Sequence, residues 1–133
     1  MDFQNSAYAV AQLFHNFGAV AVVGGSAAGL ALQDAKAQRR IARIVVVGWL
    51  IQIISGASFG AISYYYYSAF PELSFIAEIA LVVKVCCATT GLLLGAWLFD
   101  ASRIERFRPY NWIISCGLGT VALSSAAVLR WFS

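Results

Sequence analysis

Charge is scarce in this sequence: 11% of its 133 residues are Asp, Glu, Lys or Arg, whereas 61% are hydrophobic. Ordinary water-exposed domains carry about 25% charged residues, so this composition argues against a soluble enzyme and against a disordered chain. Histidine occurs once, as His15, and the single methionine is Met1, so one chain holds no pair of histidine or methionine ligands for haem. The three cysteines, Cys86, Cys87 and Cys116, make an odd count inside apolar runs. They describe no disulfide framework, and adjacent cysteines lack the spacing of a redox motif; they read as small core residues. There is no Gly-rich dinucleotide or phosphate loop, zinc-hydrolase motif or soluble catalytic pair. No independent catalytic activity is expected, and the net charge of +3 gives no warrant for a nucleic-acid partner.

What the sequence does have is four long apolar runs, about 8–32, 41–65, 74–99 and 112–131, each close to the ~20 residues that cross a bilayer as a helix. The expected fold is all-α, a four-transmembrane-helix bundle forming one integral membrane domain over residues 1–133. The first run is longer than a typical signal-peptide core and follows no basic segment, so it is expected to be retained. Lys and Arg set the orientation. The first connection carries Asp34, Lys36, Arg39, Arg40 and Arg43, and the third carries Asp100, Arg103, Glu105, Arg106 and Arg108; the second has Pro71 and Glu72 but no basic residue. Both basic connections are therefore expected at the cytoplasmic face of an inner or plasma membrane, with both termini on the other side. Arg130, beside Trp131, is expected to snorkel to the outer interface. The six arginines of these connections suit anionic lipid or partner contact, and Asp34 and Asp100 could cap or bridge the basic residues. Tyr64 to Tyr67 fall where the second helix leaves the membrane, as interfacial anchors or a ligand-contacting belt.

An internal repeat is also expected. A shift of 66 positions matches Gly25 with Gly91, Gly29 with Gly95, Leu32 with Leu98, Asp34 with Asp100, Ala35 with Ala101 and Arg40 with Arg106. The units, 1–66 and 67–133, would be two parallel-repeat helical hairpins about a pseudo-twofold axis along the membrane normal. Gly25 with Gly29, Gly56 with Gly60, Gly91 with Gly95, and Ser115 with Gly119 form small-xxx-small pairs, which allow helix backbones to approach in lipid. Their number points to packing against other subunits as well.

The few polar residues inside the runs are the candidate site: His15, Asn16, Gln52, Glu78 and Lys84. Counted from the outer ends at 1.5 Å per residue, Glu78 falls at about 6 Å, His15 at about 10 Å, Lys84 at about 15 Å and Gln52 at about 20 Å, a potential descending file. Lys84 stands out, because a cation at that depth faces protein or water. It is expected to meet His15, Asn16, a backbone carbonyl or another chain, as a structural pair, in ion or proton passage, or holding an anionic head group.

The stretch Leu13 to Gly25, with His15 ahead of Gly18 and of the double glycine Gly24 and Gly25, resembles the first helix of the copper-resistance D-like integral membrane proteins. The resemblance covers about one helix. It implies copper handling or b-type haem, with His15 as ligand and a second ligand from another chain. Taken together, the leading expectation is a small non-catalytic accessory or structural subunit of a multisubunit inner-membrane complex, respiratory or photosynthetic, contacting other integral membrane subunits, lipids and, at an interface, quinone. The alternatives are a small oligomeric ion, proton or metal transporter and a haem or copper electron-transfer subunit.

Overall fold

A computed structural model describes residues 3–98, 106 and 109–132. Four helices make up nearly all of it: α1 (Phe3–Ala31), α2 (Ala35–Tyr67), α3 (Phe75–Trp97) and α4 (Tyr110–Phe132). Each is long and apolar enough to span a membrane. α1 and α2 start well before the expected positions 8 and 41. Hydropathy marks where lipid begins, whereas the helix begins at its cap. The Asp34 carboxylate accepts from the Ala37 N–H at 2.7 Å, so Asp34 is the N-cap of α2. The residues after it, Ala35 to Arg40, are mostly strong helix formers. The first connection therefore shrinks to Leu32 through Asp34, and Lys36, Arg39, Arg40 and Arg43 lie on the opening turns of α2. Asp100, Arg103 and Arg108 lie outside the described residues.

At the other end of α2, Ser68 closes the helix in the left-handed region (φ 55°, ψ 20°), its N–H donating to the Tyr64 carbonyl. Ser74 caps α3, its Oγ accepting from the Ala77 N–H at 3.3 Å and donating to the Phe132 carbonyl at 2.5 Å. That second bond ties the start of α3 to the end of α4.

The helices contact in ring order. α1 packs most extensively on α2 and α3 on α4, while α1 also meets α4 and α2 meets α3. Two tryptophans fill the two cross-interfaces. Trp112 of α4 lies against Gly29 of α1, and Trp49 of α2 lies against Gly91 of α3; at either glycine a Cβ would overlap the indole. Gly25 and Gly95 accept Val45 and Val46 in the same manner, and Gly119 faces Val22 and Val23. Val22, Val45, Cys87, Ala88, Leu98 and Ala122 complete the core.

The surface is inverted relative to a water-soluble bundle. Phe17 is 63% exposed, Val20 68% and Val82 61%, while His15 is 7% exposed and Gln38 fully buried. Exposed hydroxyls turn back into their own helices: Ser58 donates to the Ile54 carbonyl, Thr89 to Val85, Thr120 to Cys116 and Ser124 to Thr120, all within 2.9 Å. Lipid offers no hydrogen bonds, so polar groups facing it must be satisfied locally. The protein is thus a small all-α membrane helix bundle.

Candidate intramembrane polar site

Three helices meet at His15. From α1 its ring reaches across the bundle, where Nδ1 lies 2.8 Å from the Ser55 Oγ of α2 and Nε2 lies 2.9 Å from the Lys84 Nζ of α3. Gln52, also on α2, donates from Nε2 to the His15 backbone carbonyl at 2.5 Å. The Ser55 hydroxyl donates to the Ile51 carbonyl at 2.5 Å. Phe59 closes over the imidazole edge-on, ring centroids 5.9 Å apart and planes at 78°, and itself stacks on Tyr8.

The hydrogen-bond directions follow from valence. A lysine ammonium has donors only, so Lys84 donates to His15 Nε2, which must then be the unprotonated nitrogen. The ring hydrogen sits on Nδ1 and is donated to Ser55 Oγ, and Ser55 passes its own hydrogen to Ile51. Every member donates in the same sense, and neutral His15 is held in one tautomer at both ends. Tethering across three helices fixes their relative rotation, because an imidazole in an apolar interior left without partners costs about 1–3 kcal/mol per group.

Of the residues singled out in the sequence, the structure brings together His15, Gln52 and Lys84. Gln52 stands level with His15, so the polar groups form one cluster and not the descending file expected. The reason lies in the helix ends: α1 starts earlier and α2 ends later than the apolar runs do, which resets the depth count. Asn16 is exposed and accepts from Gln12 Nε2 at 2.7 Å; one position beyond His15, it points about 100° away. Glu78 is exposed on the first turn of α3, away from the cluster.

Among the glycines and serine expected to pack, Gly25, Gly29, Gly91, Gly95, Ser115 and Gly119 are buried, whereas Gly56 and Gly60 have nothing nearer to a hypothetical Cβ than 4.0 Å, at His15 and Phe70. Arg39, Arg40, Arg43 and Arg106 are exposed. Tyr64 to Tyr67 are exposed at the end of α2, with Tyr67 accepting from Gln4 at 2.6 Å. Cys87 is in the core, Cys86 is exposed and Cys116 is partly buried.

Three polar elements escaped the sequence reading. Ser55 shares the inward face of Gln52 by its i, i+3 spacing, a signal that was available. Ser26 and Ser115 bond at 2.7 Å between α1 and α4, where serine looks like any other small residue. Gln38 donates to the carbonyls of Gly29, at 3.1 Å, and Leu32, at 2.7 Å, capping the end of α1. It sits among charged residues, where hydropathy gives no sign of burial.

The haem or copper role implied for His15 does not fit this geometry. Both ring nitrogens are engaged within the chain, so ligation would first have to displace Ser55 or Lys84. Among the described residues no group of three His, Cys, Asp or Glu side chains converges. A lipid-open groove of about 680 Å³ lies between α1 and α2, walled by Phe3, Val10, Phe14, Ile54 and Ile62, with Ser55 among its lining residues. Comparison with known proteins gives no match to a family model, to a curated protein or to a solved structure. Fold and site define a class: a four-helix integral membrane protein whose buried polar groups clasp its own helices.

Proposed function

We propose that this chain is a small non-catalytic accessory subunit of a multisubunit inner-membrane complex, of respiratory or photosynthetic type, with both termini on the non-cytoplasmic side. The observation that carries this reading is the double engagement of His15. Its two nitrogens serve to hold α1, α2 and α3 together, which is the use of a polar cluster in a scaffold. The short connections Leu32 to Asp34 and Ser68 to Ser74 provide little mass outside the membrane for chemistry. The apolar α1/α2 groove suits a lipid chain or the tail of a quinone at the border of a larger assembly.

The hairpin repeat belongs to the same proposal, and a pair of contacts supports it. Gly29 packs on Trp112, and Gly95 packs on Val46. The 66-position shift carries Gly29 onto Gly95 and Val46 onto Trp112, so the α1/α4 contact and the α3/α2 contact exchange under the pseudo-twofold operation. Affinity purification of the tagged chain from its native membrane in a mild detergent tests the subunit assignment. A stoichiometric hetero-complex is expected; a chain that is monomeric in native membranes and fully active alone would reject it.

One observation favours a second reading, transport of protons or ions. Ser55, His15 and Lys84 form a continuous hydrogen-bonded chain across α2, α1 and α3. On that reading Lys84→Met abolishes flux in proteoliposomes while helicity is kept; undiminished flux would remove it.

A further inference from the structure

Lys84 is partly exposed, and among the described residues its one hydrogen-bond partner is the neutral ring of His15. A protonated amine has three donors, so two remain without a protein partner, and no carboxylate of the described residues neutralises the charge. At 1.5 Å per residue from Phe75, Lys84 is about 14 Å into the helix, well below phospholipid head groups. An uncompensated cation at that depth costs several kcal/mol. An anion within the bilayer would compensate such a charge.

A second copy of the chain does not supply it. The acidic positions are Asp2, Asp34, Glu72, Glu78, Asp100 and Glu105, and of those among the described residues, Asp34, Glu72 and Glu78, only Glu78 falls within a helix. Glu78 is about 9 Å shallower than Lys84 on the same helix. Copies related by an axis along the membrane normal keep equal depths, so that offset persists between them. The Lys84 amine is tethered to His15 and cannot rise to meet it.

We propose that Lys84 is the docking residue for a different membrane protein, one that presents an Asp or Glu carboxylate on a transmembrane helix at the depth of His15. The inference rests on the accessory-subunit reading and names the chemistry of its partner. His15 holds the ammonium in place, so the pair forms with little loss of side-chain freedom, and a hydrogen-bonded charge pair away from water fixes which partner is accepted.

The test treats native membranes containing the full tagged chain with a membrane-permeant carbodiimide, which joins an amine to a carboxylate as an amide while the carbodiimide takes up the elements of water as a urea. Peptide mass spectrometry is expected to find Lys84 joined to an acidic residue within an apolar segment of another polypeptide. Lys84→Arg, whose guanidinium does not couple, should lose the cross-link and keep the complex. Lys84→Met should lose both, with helicity and monodispersity showing that it still folds. A cross-link from Lys84 to a second copy of this chain, or no cross-link at all, overturns the proposal. A hetero-complex that survives Lys84→Met overturns the proposal while leaving the subunit assignment standing, whereas absence of any hetero-complex from the wild type overturns both.

Discussion

At His15 a single side chain satisfies partners on two other helices, and the energetic consequences are separable. Ser55→Ala leaves the Nδ1 hydrogen buried without an acceptor, and a loss of about 1–3 kcal/mol is expected, read from thermal unfolding in detergent. His15 and Lys84 should couple. In a double-mutant cycle of His15→Ala with Lys84→Met, the combined loss should fall short of the sum by about 0.5–3 kcal/mol; strict additivity would mean that the 2.9 Å contact contributes nothing to stability. Ser68 offers the opposite sign. Its left-handed backbone (φ 55°) favours glycine, so Ser68→Gly should raise thermal stability by up to about 1 kcal/mol.

Helix pairing depends on where glycine meets a bulky partner and not on glycine content. Gly29 and Gly91 each lie under an indole, whereas Gly24 and Gly117 have open space around them. Gly29→Ala and Gly91→Ala should each destabilise by about 1–3 kcal/mol through overpacking, while Gly24→Ala and Gly117→Ala should be neutral or mildly stabilising through helix propensity. Thermal melts of the four variants check this contrast, and equal losses at all four would contradict it. The sequence marked Gly25, Gly29, Gly91 and Gly95 because their spacing is local information. It did not separate them from Gly56 and Gly60, which have the same spacing but only ordinary contacts at 4.0 Å, because only the packed neighbour distinguishes a tight approach from a loose one.

For the whole molecule, the strong pairing of α1 with α2 and of α3 with α4 makes the segment from Ser68 to Ser74 the natural point of division. Chains cut within it and co-expressed should reassemble into a stable four-helix complex, seen as co-purification of an untagged half with a tagged one. The clasp and the two tryptophan contacts join the halves, so a Gly29→Leu and Gly91→Leu double variant should abolish reassembly.

What the sequence alone determined is the solvent and the scaffold. Long apolar runs and scarce charge require spanning helices, since lipid satisfies no backbone group, and a lone lysine in such a run had to matter because of its desolvation cost. It also placed His15 and Lys84 among each other's potential partners. Tertiary structure decided the rest: that Ser55 completes the cluster, that Gln52 stands level with His15, that Glu78 and Asn16 stay apart, and that Gln38 turns inward. Each depends on the rotation and vertical offset of one helix against another. Those two variables are set by the fit of indoles on glycines and by capping at the helix ends, where hydropathy carries no signal.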